Sequence, residues 1–85
     1  MAGTANRDAY EIIIGALARF EESLYDTNER LLKQSDDMYD AMEGDDYSKE
    51  LCDNLYEFAA RMNRYIEDVG TVKEKLIGRK EELFE

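Results

Sequence analysis

The fold is decided by residues 51–76, which read LCDNLYEFAARMNRYIEDVGTVKEKL. The apolar side chains of this stretch are spaced alternately by four and three residues, so an α-helix would place them all on one face. A β-strand would require alternation at every second residue, which this stretch does not show. The pattern predicts a helix from about residue 46 to about residue 83. The apolar side chains that this helix places on one side are Leu51, Leu55, Phe58, Met62, Tyr65, Val69, Val72, Leu76 and Leu83.

The first half of the chain carries a weaker pattern of the same kind, which predicts a helix from about residue 7 to about residue 41. This pattern has a main series of apolar residues and a companion series that follows it by three positions. The companion series contains the polar residues Thr27 and Gln34, so we expect weaker packing near the middle of this helix. The main series, which recurs every seven residues, is Tyr10, Leu17, Leu24, Leu31 and Met38, and the apolar members of the companion series are Ile13, Phe20 and Ala41.

The two patterns are separated at Gly44, which is the strongest helix breaker between them in a chain without proline. Asp45 and Asp46 follow it and suit the start of a new helix, because carboxylates accept hydrogen bonds from the free amide groups there. A continuous helix of nearly eighty residues would be about 115 Å long, far longer than ordinary globular helices. We therefore predict an all-α fold in a single domain over residues 1–85, an antiparallel two-helix hairpin with its turn at about residues 42–45.

The predicted hairpin has more apolar surface than its two helices can bury against each other. Two helices share one packing surface, yet further apolar residues lie outside the two series. We therefore predict that a second hairpin covers this surface to form a four-helix bundle, as a homodimer or as a heterodimer with another helical hairpin. The predicted partner interface is Leu51, Leu55, Phe58, Met62, Tyr65 and Val69, and the further apolar residues are Tyr25, Leu32, Tyr39, Cys52, Tyr56, Ala59, Ile66, Ile77 and Phe84.

Composition argues against most other classes of function. A net charge of −10 disfavours nucleic acids and anionic membranes, and no apolar run is long enough to insert into a membrane. The chain has no histidine and one cysteine, which argues against disulfide frameworks, Cys/His zinc sites and histidine-based catalysis. We predict a non-enzymatic protein that needs no cofactor or metal. The N-terminal residues do not resemble a signal peptide, so we expect a cytoplasmic location, or export without a cleaved signal.

Two local features each leave two interpretations open. The acidic segment at residues 36–46 is either a solvated tip or a site for a cation or a basic partner surface. Its spacing does not fit a calcium-binding EF-hand loop. Cys52 is either a small packing residue near the start of the second helix or a point of crosslinking between subunits.

The segment Met42-Glu43-Gly44, placed between two long amphipathic helices, resembles the Trp-Xaa-Gly motif of the Esx-like small proteins of type VII secretion. The resemblance extends over about residues 10–77, and Gly44 matches the glycine of the motif. Met42 stands where the family has tryptophan, so it lacks the indole N–H. The resemblance implies a hairpin with the motif in its turn, pairing into a homodimeric or heterodimeric four-helix bundle.

The export signal of that family is a tyrosine followed four residues later by an acid, just after the second helix. This spacing occurs here at Tyr25 with Glu29 and at Tyr39 with Glu43, both before the second helix begins. The resemblance therefore implies a type VII secretion substrate whose signal belongs to a partner, or an adaptor that binds the helical segment of an LXG-type toxin. The alternative is a cytoplasmic helical scaffold or regulatory subunit unrelated to secretion.

Overall fold

The computed structural model describes residues 4–85 and contains two α-helices, α1 (Thr4–Ala41) and α2 (Asp46–Phe84). The helices lie against each other along their length, in an envelope whose Cα atoms extend 66 × 15 × 13 Å. No strand occurs in the part of the chain that is described. The prediction of an all-helical hairpin is confirmed.

The turn depends on Gly44 and Asp45. Gly44 adopts a φ of +86°, a backbone conformation that costs L-residues with a side chain about 1–2 kcal/mol. The amide of Asp45 donates a hydrogen bond to the carbonyl of Met42 at 3.0 Å, which closes the turn. The Asp45 carboxylate then caps α2 by accepting hydrogen bonds from the Ser48 amide at 3.0 Å and the Ser48 hydroxyl at 2.7 Å. These two bonds lower the pKa of Asp45 below its ordinary value.

The surface between α1 and α2, which we call the seam, buries few side chains completely. Among residues 6–85, the buried apolar residues are Cys52, Ala59 and Val69, all on α2. Two polar residues of α1, Asn28 and Ser35, are also buried. Small side chains let the helices approach closely, but they remove little apolar area from water. The seam is completed by half-buried residues, chiefly Tyr10, Ile14, Leu17, Leu24 and Leu31 on α1 and Leu55, Met62, Ile66 and Leu76 on α2.

Each helix has two series of predicted seam residues. On each helix, one of these two series was wrong by one position. On α1 the companion residues Ile13 and Phe20 are exposed, and so is Ala41. The positions that pack on α2 come one residue later and include Glu21, Asn28 and Ser35. A pattern based on hydrophobicity alone selects the apolar row for the seam. Polar side chains lie in the seam instead, because Asn28 and Glu21 form hydrogen bonds with α2 there. The same shift on α2 exposes Leu51, Phe58, Tyr65 and Val72 and buries Cys52 and Ala59.

Gly70 lies beside a charged side chain of α1. A Cβ atom at Gly70 would be 2.6 Å from the Glu21 carboxylate, so any larger residue would displace that side chain. A Cβ atom at Gly15 would meet only the Arg19 side chain, at 3.4 Å. Gly70 therefore makes room for the contact between Glu21 and α2.

Replacing Gly44 with alanine should destabilise the hairpin by about 1–2 kcal/mol, because alanine is strained at this positive φ although no atom lies near its Cβ. Urea unfolding at fixed protein concentration measures the change. Gly78→Ala is the matched control, since Gly78 is helical with open space around it, and this substitution should stabilise by up to about 1 kcal/mol. Equal effects of the two substitutions would contradict the account of the turn.

Candidate functional site

One long side of the hairpin presents a row of exposed apolar side chains, which we call the apolar face. Between 40% and 51% of each of these residues is accessible to solvent. Folded chains seldom leave a continuous row of large apolar groups in water unless it binds something. The apolar face consists of Ile13 and Phe20 on α1 and Leu51, Phe58, Tyr65 and Val72 on α2.

The members of the apolar face lie together because of their spacing and one contact between the helices. Successive members on each helix are seven residues apart, and this spacing keeps them on one side of the helix. The rings of Phe20 and Tyr65 meet edge to face, with centroids 6.3 Å apart and planes at 88°. This contact joins the row on α1 to the row on α2. The result is one surface, with the Phe20–Tyr65 pair near its middle.

The opposite side of the hairpin, which we call the closed flank, satisfies the aromatic residues nearest the turn internally. Tyr39 and Tyr56 lie 6.5 Å apart between ring centroids, and the Lys49 ammonium lies 5.1 Å from the centroid of Tyr39. The Tyr56 hydroxyl donates a hydrogen bond to the Asp36 carboxylate at 2.6 Å. These contacts hold Tyr39, Tyr56 and Lys49 together within the chain.

Polar contacts inside the seam fix the alignment of the two helices. Lys73 donates to Glu21 at 2.6 Å, and this hydrogen bond raises the pKa of Lys73. The Asn28 side-chain amide donates to the Ala59 carbonyl at 3.1 Å and to the Asn63 side-chain oxygen at 2.9 Å. A shift of one helix along the other would leave these groups unpaired, so they favour a single register. The seam is therefore specific but contributes little apolar burial.

Charge is distributed unequally between the two sides. On α2, Arg61, Asp68 and Lys75 each follow a residue of the apolar face by three positions, and they alternate in sign. The outer edge of the closed flank, marked by Asp36 beside Tyr56, is acidic except at Gly15 and Ala60. This row contains no base, and its exposed acids are Asp8, Glu22, Glu29, Asp36 and Glu43 on α1 and Asp46, Asp53, Glu67, Glu74 and Glu81 on α2.

The residues predicted as a partner interface are divided between two surfaces. Leu51, Phe58 and Tyr65 lie on the apolar face. Leu55, Met62 and Val69 instead lie in the seam, where they pack toward α1. The structure adds Val72 to the apolar face, as well as Ile13 and Phe20, which the sequence pattern had assigned to the seam. The spacing of seven residues was visible in the sequence, but it did not show which row α1 would cover.

The predicted turn residues and the cysteine have clear positions. Met42 is half-buried at the end of α1, and Gly44 is exposed in the turn. Cys52 is completely inaccessible to solvent, so a crosslink between subunits through its sulfur would require the hairpin to open. The packing interpretation of Cys52 is the one that agrees with this burial.

Two kinds of feature are absent from the described residues, 4–85. No group of three or more Asp, Glu, Cys or His side chains is arranged to hold a metal ion there. Neither helix has a stretch that is both long enough and apolar enough to span a membrane.

Comparison with known proteins finds no matching family model, no matching curated protein and no matching solved structure. The resemblance of Met42-Glu43-Gly44 to the Esx-like motif therefore stays a prediction.

The closed flank should loosen at high pH. The hydrogen bond to Asp36 raises the pKa of Tyr56 to about 12, whereas an unfolded tyrosine titrates near 10. The folded state therefore keeps a proton that the unfolded state has lost, so the stability that this bond contributes is present below pH 10 and is lost as the pH rises toward 12. Urea unfolding from pH 9 to pH 12 should show a steeper loss for the native chain than for Tyr56→Phe. Identical slopes would contradict the assigned bond.

Proposed function

We propose that this chain is a non-enzymatic protein-interaction module that docks another helical hairpin on its apolar face to form a four-helix bundle. The exposed row of six apolar side chains that forms the apolar face is the observation that supports the proposal most strongly. Binding here means mutual burial of apolar surface, because large apolar groups in water gain free energy when a partner covers them.

The thin seam supports the same proposal. The chain buries Cys52, Ala59 and Val69 fully within itself, while larger side chains such as Phe20, Phe58 and Tyr65 remain about half accessible. Fully covering one large apolar side chain contributes about 1.5–3 kcal/mol. A companion hairpin would therefore supply apolar burial that the chain alone lacks.

Within this proposal, the narrower function is that of a type VII secretion substrate or toxin-targeting adaptor. It rests on the resemblance of the turn, where Gly44 has the conformation that favours glycine and Met42 is half-buried beside it. The companion would then be another Esx-like hairpin or the helical segment of an LXG-type toxin. The departure at Met42 favours the second candidate, a helical scaffold or regulatory subunit unrelated to secretion.

The two functions differ in their partner, so the partner's identity separates them. Purification of the tagged full-length chain from its native cells, followed by mass measurement of the intact complex, gives that identity. A secreted toxin or a second Esx-like chain in the complex would support the secretion function. A complex with an enzyme or regulator that is not exported would contradict it.

Replacing Phe58 with aspartate should weaken docking at least about 100-fold, because the complex would bury an unpaired carboxylate. The hairpin itself should stay helical, since half of Phe58 is already accessible. Tyr25→Asp is the matched control, because Tyr25 is 54% exposed and lies outside the apolar face. Sedimentation velocity of the purified complexes measures the result.

Loss of the complex in both variants, or in neither, would contradict the assignment of the apolar face. Met62→Asp provides a second comparison, because Met62 is half-buried in the seam. That variant should lose helical circular dichroism as well as docking, whereas Phe58→Asp should lose docking alone.

A further inference from the structure

We propose that the closed flank carries a second binding site, a notch between Tyr25 and Gly70 that takes the lysine side chain of a basic segment in a partner protein. The notch lies on the opposite side of the hairpin from the apolar face, so it does not depend on the docking of a companion hairpin. It is one half of a contact that the chain completes elsewhere on the same flank.

The completed contact lies near the turn. The ring of Tyr39 meets two side chains of α2, because the Lys49 ammonium is 5.1 Å from its centroid and the Tyr56 ring is 6.5 Å away between centroids. An ammonium above an aromatic ring is attracted by the negative charge of the ring face. The closed flank therefore already holds one lysine side chain, which the chain itself supplies.

Tyr25 occupies the same position as Tyr39, two heptads further from the turn. It precedes Tyr39 by fourteen residues on α1, and this spacing keeps both rings on the closed flank. Because the helices are antiparallel, the positions of α2 that match the two partners of Tyr39 lie fourteen residues later, at Asn63 and Gly70. Tyr25 therefore faces an amide and a glycine where Tyr39 faces an ammonium and a ring.

Contacts across the seam agree with this register. Asn28 donates a hydrogen bond to Asn63 at 2.9 Å, and one heptad further from the turn Glu21 lies against Gly70. Both pairs keep the same offset between the helices, so the register is constant through the stretch that contains Tyr25.

The ring of Tyr25 is correspondingly open. Tyr25 is 54% exposed, whereas Tyr39 is 36% exposed. None of the aromatic or cation–ring contacts among residues 6–85 involves Tyr25. The site that Lys49 fills near the turn is thus repeated at Tyr25 without its lysine.

The missing side chain at Gly70 leaves space for a ligand. An open groove of about 670 Å³ runs past Gly70 and contains Glu21 and Lys73. Lys73 donates to Oε1 of Glu21 at 2.6 Å, while Oε2 of the same carboxylate is the atom nearest to a Cβ built at Gly70. A second cation that enters the space beside Gly70 would therefore meet a carboxylate oxygen as well as the Tyr25 ring.

Four exposed carboxylates surround the notch symmetrically. Glu22 and Glu29 lie three residues before and four residues after Tyr25, and Glu67 and Glu74 have the same spacing around Gly70. Residues at these spacings are neighbours on a helix surface. The groove also contains Lys75, but the acids outnumber the bases around it. The surroundings of the notch therefore attract cations.

The shape of the site favours a lysine side chain within a basic segment. A lysine has a compact ammonium on a thin, flexible stem, which suits the narrow space above a glycine, whereas the guanidinium of arginine is planar and broader. The groove is open, so a single free ammonium would bury little surface there. The acidic rows continue along the flank in both directions and could pair with further bases of the same segment.

Fluorescence anisotropy of labelled hexalysine, titrated with the purified full-length chain at low ionic strength, tests the site. Tyr25→Leu should weaken binding about three- to tenfold, because it removes the ring beneath the ammonium. Tyr25→Phe should bind like the native chain, since the ring face remains. Tyr47→Leu is the matched control and should also bind like the native chain, because Tyr47 is 69% exposed beside the acidic turn but lies outside the notch.

A second substitution fills the site from within. Asn63→Lys places an ammonium where it can lie on Tyr25 as Lys49 lies on Tyr39, so it should compete with the peptide. Asn54→Lys is the charge-matched control, because Asn54 is exposed on the same helix but away from the notch. Hexalysine should bind Asn63→Lys at least about threefold more weakly than Asn54→Lys. Circular dichroism checks that both variants remain helical.

Equal binding by Tyr25→Leu and Tyr47→Leu would overturn the proposal, because the acidic rows would then attract the peptide by charge alone. Spermidine provides the comparison with a free polyamine. If spermidine binds more tightly than hexalysine and shows the same dependence on Tyr25, the partner segment is overturned as the ligand. Phe58→Asp should bind hexalysine like the native chain, so failure of this site and failure of docking on the apolar face are separate results.

Discussion

The structure depends on one constraint, which is that two helices share a single seam and that this seam is narrow and partly polar. Glu21, Asn28 and Ser35 occupy the positions of α1 that face α2, and Cys52 and Ala59 are small residues opposite this helix. The hydrogen bonds of Glu21 and Asn28 set the register, but these seam residues bury little apolar area. A row of large apolar side chains from both helices consequently remains exposed on one side of the hairpin. The proposed docking of a companion follows from this division.

The polar seam and the apolar face have complementary roles in this account. A seam of large apolar residues would stabilise the hairpin alone, and it would tolerate several registers. Polar pairs such as Lys73 with Glu21 favour one register, which keeps Phe20 level with Tyr65 and the apolar row continuous across both helices. Gly70 contributes by leaving space for the Glu21 carboxylate. Specific alignment of the two helices therefore brings the exposed apolar side chains of α1 and α2 onto one surface.

The sequence predicted the all-helical fold class and the position of the turn, because both depend on local chemistry. The heptad spacing indicated helices, and Gly44 followed by Asp45 indicated the break, as the positive φ of Gly44 and the Asp45 cap of α2 confirm. The sequence did not predict which of two adjacent apolar rows would be covered, because that choice depends on contacts between distant residues. Asn28 is buried by its bonds to Ala59 and Asn63, more than thirty positions away, and no local pattern reveals them. Leu51, Phe58 and Tyr65 were grouped with Leu55, Met62 and Val69 as one predicted interface, and Ile13 and Phe20 were assigned to the seam.

The central claim is that the hairpin is incompletely buried until a companion covers its apolar face. The most direct test is the melting temperature of the purified chain, followed by circular dichroism across a hundredfold range of concentration. If folding is coupled to association of copies, the melting temperature should rise by about 5–10 °C from the lowest to the highest concentration, because mass action favours the associated state. The same melting temperature at every concentration would show that association adds nothing to the stability of the hairpin, and it would contradict the account.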